Sequence, residues 1–221
     1  DTCRWMLPEI YTKLGEKSAV IKQPEGKDEK FKAMQALFAC PTASIGYLAD
    51  DIDVQDVQES FPLLIEDNVY HCGYHSSKSF GATSYFIKRE AGNILVDSPR
   101  FTNSLVKEFE KLGGIKYIFL THKDDVVDHA KFANHFSAKR IIHEEELCSS
   151  IPEAEILISE HHSMTIDEAE DTALIIPTPG HTKGHLCLLY KNKFLFSGDH
   201  IAYSARLNQL IAFRKYCQYS W

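Results

Sequence analysis

Residues 178–185 read TPGHTKGH, and residues 196–199 read FSGD. Both sit against short apolar runs: TALIIPT (172–178), HLCLLY (185–190) and KFLFSGD (193–199). Such runs predict three strands, with Asn192 in a tight hairpin turn between the last two. The histidines and Asp199 therefore fall at strand ends, where loops from distant parts of a chain can converge on one edge of a sheet.

The same placement recurs upstream. KYIFL (116–120) predicts a buried strand, and FLTHKDDVVDHA (119–130) carries His122 to His129 at its end. ATSYFIKRE and NILVDSP predict two more strands joined at Ala91-Gly92, the second ending at Asp97-Ser98-Pro99. A helix from Thr102 places Leu105, Val106, Phe109 and Leu112 on one face and stops at Gly113-Gly114. A helix over 125–136, the strand KRIIH and a short helix near Glu144 continue an α/β alternation. The EEE of 144–146 reads as a solvated helix start, and 205–221 as a terminal helix. Histidine and aspartate from four loops make a donor set that suits zinc or iron.

Composition narrows the classes. The 221 residues are 44% hydrophobic and 25% charged, with a net charge of −7, which supplies no basic footprint for nucleic acid. No apolar run has the length of a membrane helix. The six cysteines are too scattered for a disulfide scaffold and fit a reducing compartment. Cys72, Cys148, Cys187 and Cys217 read as small buried hydrophobes. His71, His75, His135, His143, His161 and His162 read as ordinary surface or core residues.

Residues 1–46 are organised differently. SAVIK is a short strand, PEGKDE a solvated turn, and a helix from about Asp28 aligns Phe31, Met34 and Phe38 before Cys40-Pro41 ends it. A cysteine at a helix end before proline is a position iron–sulfur proteins use. The segment resembles the C-terminal part of a single-cluster bacterial-type ferredoxin, a small α+β unit in which Cys3 and Cys40 match cluster ligands. A [4Fe–4S] cluster needs four thiolates, so either two cysteines lie upstream of these 221 residues or the unit holds no cluster. Residues 47–69 read as an acidic connector with a short helix near Val54–Ser60.

From about Tyr70 to Tyr203 the chain resembles the metallo-β-lactamase superfamily, to which glyoxalase II and many metal hydrolases belong. FLTHKDDVVDHA looks like the T-H-x-H-x-D-H motif, and TPGHTKGH and FSGDH like the later ligand loops. The resemblance implies an αββα sandwich, C-terminally incomplete, over 70–221. It implies one or two zinc or iron ions: His122, Asp124 and His181 for the first, Asp199 bridging, Asp128 and His129 for the second. Asp124 stands where the family has histidine, and from the residues it reads equally as ligand or helix cap; Asp125 reads as a helix-start carboxylate. Asp128 would orient the attacking water, and His185 and His200 would stand behind the ligands.

The activity implied is hydrolysis of an ester- or thioester-type carbonyl in a small-molecule substrate. The alternatives are an assembly subunit that binds a protein partner through a degenerate site, and a redox protein coupling a ferredoxin domain to a metal. The fusion resembles one of cyanobacteria and plastids, implying plastid stroma or cyanobacterial cytoplasm. No histidine follows His200, so the sequence is expected to be a stretch of a longer chain.

Overall fold

The computed structural model describes residues 2–48, 51–159, 161–204, 207–212, 214–217 and 219. The amino-terminal unit comprises α1 (Thr2–Met6), the hairpin β1 (Tyr11–Leu14) and β2 (Lys17–Val20), and α2 (Gly26–Ala39). β1 was not expected from the sequence; the turn at Gly15, with φ +59°, lets the chain fold back on SAVIK. Leu7, Ile10, Tyr11, Ala33 and Ala36 form a core of their own. The unit also touches the rest of the chain: Thr2 Oγ1 lies 3.0 Å from His75 Nδ1, and Arg100 donates to the Phe38 carbonyl at 3.1 Å.

α3 (Val54–Glu59), capped by Asp53, leads to β3 (Leu63–Glu66) and β4 (Val69–His71). Thus β3 lies inside the stretch expected to be only a connector. β5 (Tyr85–Ile87), β6 (Ile94–Val96), α4 (Asn103–Lys111), β7 (Tyr117–Phe119), α5 (His129–Phe136), β8 (Lys139–His143) and β9 (Ile156–Ile158) follow. Seven strands, β3 to β9, pair in sequence order; β6 to β9 run parallel. A second, antiparallel sheet contains β10 (Met164–Thr165), β11 (Ala173–Pro177), β12 (Leu186–Tyr190) and β13 (Phe194–Phe196).

Alternation along the parallel strands builds two cores. Ile94, Val96, Phe119 and Ile141 face the second sheet, against Ile175, Leu186 and Leu188. Leu95, Ile118 and Ile142 face the other way, onto Leu105, Phe109 and Phe132 of α4 and α5. Thr102 caps α4 by accepting from Leu105 N. Phe109 is fully buried, so Phe109→Ala would cost about 3–5 kcal/mol. The layers are helix, sheet, sheet; among the described residues no helix covers the second sheet's outer face. At the opposite end from the ligand loops, buried Arg89 pairs with Asp167 and Asp171, tying the two sheets together.

One helix expected from the sequence is absent among the described residues, and another is shortened. β14 (Ala202–Ser204) pairs antiparallel with β15 (Gln209–Ile211), Asn208 before β15 has φ +50°, and Arg214–Tyr216 is a single 3-10 turn. Residues 205, 206, 213, 218, 220 and 221 of the expected helix lie outside the described ones. Helical spacing of apolar residues forms a helix only against a surface that buries them, and Leu207 and Leu210 are exposed. The expected helix over 125–136 is also divided: Lys123–Asp125 is a 3-10 turn, and α5 starts only after Asp128 turns the chain at φ +54°.

Candidate metal centre

The carboxyl ends of β6, β7 and β8 point the same way because these strands are parallel. Their loops meet the loop that follows β11 and the turn after β13. Leu186 N donates to Thr121 O at 2.8 Å, locking the start of β12 to the end of β7. Gly198 permits the closest approach: a Cβ there would lie 2.7 Å from Thr121 Oγ1 and 2.8 Å from His185 Nε2, at φ +47°. FSGD therefore needs its glycine to bring Asp199 to the histidines.

His122 is wholly buried. Its Nδ1 lies 3.0 Å from Thr121 Oγ1, whose hydroxyl lies 3.0 and 3.1 Å from the Asp97 oxygens. A threonine hydroxyl donating to Asp97 can accept from Nδ1–H, which leaves the Nε2 lone pair directed outward. Nε2 has no hydrogen-bond partner, nor has either ring nitrogen of His181. His122 Nε2 stands 3.8 Å from Asp124 Oδ2 and 3.9 Å from Asp199 Oδ2. His181 Nε2 stands 3.4 and 3.5 Å from the same two oxygens. Ligand atoms around a tetrahedral ion, each about 2.1 Å from it, lie about 3.4 Å apart. The spacing and the orphaned nitrogens fit a shared ion.

Electrostatics agree. Burial lowers the basicity of His122, against the pull of Asp199 and Asp124, so its Nε2 keeps a lone pair. Burial, then the charges of Asp97, Asp199 and Asp124, raises Asp125 to about 9. Burial raises Asp97 to about 7, although the Thr121 N–H and hydroxyl favour its charge. Crowded carboxylates beside neutral imidazoles are relieved by a cation.

His185 takes another part. Its Nδ1 lies 2.9 Å from Thr178 Oγ1, and its Nε2 accepts from Asp199 N at 3.2 Å, so its lone pair holds the Asp199 backbone. Burial and the neighbouring His122, His200 and His181 lower it to about 2, keeping it neutral. The His200 ring lies 5.9 Å from that of His185.

Asp128 and His129, expected at a second ion, have protein partners, while His129 Nδ1 has none among the described residues. Asp128 accepts from Phe101 N at 3.0 Å and pairs with Lys131 at 2.7 Å, while His129 Nε2 lies 3.1 Å from Ser150 O. Two residues more than the T-H-x-H-x-D-H spacing stand before Asp128: Val126 is buried in the helical core, and Val127 N is held by Ser79 Oγ at 3.2 Å. Among the described residues, His122, Asp124 and His181 are the group of three that comes together. Asp125, expected as a helix-start carboxylate, is instead buried beside Asp97 and 3.9 Å from His122 Nδ1.

In the amino-terminal unit, Cys3 and Cys40 are half-buried. Both act on the Tyr11 hydroxyl, which burial and then these thiols raise to about 12. Burial pushes the Cys40 thiol up, but the Thr42 hydroxyl and the N–H groups of Ser44, Thr42 and Ala43 bring it below its ordinary value. Such a ring of donors fits a thiolate ligand.

Residues 79–209 match the model of the metallo-beta-lactamase superfamily, more than half of the chain. The chain belongs to that superfamily. Residues 1–47 match the model of the 4Fe-4S single cluster domain of Ferredoxin I. Among solved structures of the superfamily, BJP-1, a subclass B3 metallo-β-lactamase of Bradyrhizobium japonicum, is 22% identical, with 56% of this chain and 54% of that one covered and a TM-score of 0.44. A class B3 di-zinc metallo-β-lactamase from an Alaskan soil metagenome is 20% identical over 64% of this chain and 62% of that one, at 0.46. An archaeal superfamily protein from Sulfolobus tokodaii is 18% identical over 67% and 69%, at 0.48. This chain thus spans about half the length of the first of these. No curated protein matches it.

Proposed function

We propose that the chain is a metal-dependent hydrolase of ester- or thioester-type carbonyls, with one zinc or iron ion held by His122, Asp124, His181 and Asp199. The observation that carries this reading is that the Oδ2 atoms of Asp124 and Asp199 each lie 3.4–3.9 Å from Nε2 of His122 and of His181, imidazole nitrogens left without partners. Two imidazoles and two carboxylates suit either metal. Such an ion, when bound, polarises a carbonyl and lowers the pKa of water.

The chain's own groups do the rest. Asp97, through Thr121, fixes the His122 tautomer so that Nε2 faces the ion. His185 holds the Asp199 backbone in place. The Asp199 side chain is half exposed, which leaves that flank open to a small-molecule substrate.

Hydrolysis of thioester and lactone substrates tests the reading, with Asp124→Ala and His181→Ala as controls. Turnover abolished by both substitutions supports it. Turnover that survives both, or a metal-loaded chain with no turnover on any ester, contradicts it; the latter favours an assembly subunit.

The second reading rests on the amino-terminal unit. Cys3 and Cys40 would hold a [4Fe–4S] cluster together with two thiolates from outside these residues, and the cluster would supply one-electron chemistry. The Trp5 ring, two residues from Cys3, lies 5.0 Å from that of buried His71, so the cysteine helix packs directly on the larger sheet. Anaerobic reconstitution read by electron paramagnetic resonance separates this redox role from the hydrolytic one.

A further inference from the structure

Glu146 ends the run EEE after β8, and it is completely buried. Burying a carboxylate costs several kcal/mol unless its oxygens are hydrogen-bonded. Here both are. Oε2 accepts from Lys123 N at 3.1 Å, and Oε1 accepts from Gly184 N at 2.7 Å. Lys123 directly follows His122, and Gly184 lies three residues after His181. One side chain thus grips the backbone of both histidine loops, one with each oxygen.

The surroundings make the grip rigid. β8 is the parallel neighbour of β7, so the turn carrying Glu146 leaves the sheet beside the loop carrying His122. Gly184 presses on this turn: a Cβ there would lie 2.6 Å from His143 Nδ1. His143 Nδ1 in turn accepts from Glu145 N at 3.2 Å, which fixes the turn from below. The Glu146 charge also acts on His122, favouring the protonated ring against the burial that opposes it. Charge-assisted bonds to backbone N–H groups are among the stronger hydrogen bonds a protein makes.

We propose that Glu146 is a positioning residue for the metal centre, setting the separation between His122 and His181. The proposal rests on the reading of those histidines as ligands of one ion. Metal sites tolerate errors of only about 0.5 Å in ligand placement, and loops hold such positions less well than strands or helices do. A carboxylate bonded to both loops supplies what neither loop has alone. Its role differs from that of Asp97 and His185, each of which fixes one ligand rather than the distance between two.

The test is a Co2+ titration of the full chain, wild type against Glu146→Ala and Glu146→Gln, read by the visible spectrum of the bound ion and by chelator competition. Glu146→Ala is expected to weaken Co2+ binding about 10- to 100-fold and to shift the absorption bands. Glu146→Gln keeps one acceptor oxygen but sets an NH2 against the other N–H, so it is expected to fall between wild type and alanine. If Glu146→Ala does not fold, Glu146→Gln decides by the same two readings. Variants that match wild type in affinity and spectrum, with only a lower melting temperature, would show a merely structural residue and overturn the clamp. Failure of the wild-type chain to bind Co2+ would overturn the ligand reading and the clamp with it, whereas normal wild-type binding with unchanged variants overturns the clamp alone.

Discussion

The loop at 178–185 and the loop at 121–129 carry candidate ligands to the same place by different routes. The first is a compact turn between two strands of one sheet, gripped at Thr178, Gly180 and Gly184. The second carries two more residues than the motif it resembles. His122 and Asp124 precede that insertion and stay in register with β7. Asp128 and His129 follow it and swing onto the α5 side. The residues before the two extra positions thus stay beside the His181 loop, and those after them take partners on the α5 side.

This contrast can be broken most severely at His181. His181→Ala should weaken zinc binding by more than about 100-fold, above what removal of an outer partner costs, as measured by chelator competition. Wild-type affinity in that variant would mean that the intact loop is not a ligand loop. Asp128→Asn is the matched control on the altered loop. It keeps one oxygen for the Phe101 N–H and loses the ion pair with exposed Lys131, so denaturant melts should show no more than about 1 kcal/mol of lost stability, with zinc affinity within about twofold of wild type. A large loss of metal there would restore Asp128 to the site.

A smaller effect compares two sets of buried imidazoles. His122 lies among carboxylates, whereas His71 and His75 face each other at 2.8 Å, and burial first of all lowers them to about 3 and about 4. Both stay neutral in the folded chain while the unfolded chain takes up protons below about pH 6.5. The unfolded state then binds more protons, so stability is fully present above that pH and is lost as pH falls toward 4. Between pH 7 and pH 5 the loss should be about 2 kcal/mol for each group, and less in His75→Gln. An identical slope in the variant would remove this pair from the account.

Much of the fold could be read from residue patterns. The short continuous apolar runs in KYIFL and NILVDSP, and the cap at Thr102, are local signals that the tertiary structure keeps. His122, Asp124, His181 and Asp199 were legible because they lie within a few residues of strand ends. Glu146 and Asp125 were not. A run of acids reads as solvated unless one knows which backbone N–H groups a distant loop will bring to it. The outward turn of Asp128 depends on Val126 finding the helical core, a contact that spacing alone does not reveal. The terminal hairpin was missed for a related reason: its apolar spacing is helical, but Leu207 and Leu210 are exposed.

The central claim is that one ion is held by the strand-proximal half of the altered motif and the intact loop. Elemental analysis of the purified chain with Asp124→Ala and Asp128→Ala tests it directly. The account predicts about one zinc or iron per chain in wild type and Asp128→Ala, and almost none in Asp124→Ala. An ion kept by Asp124→Ala and lost from Asp128→Ala would contradict it.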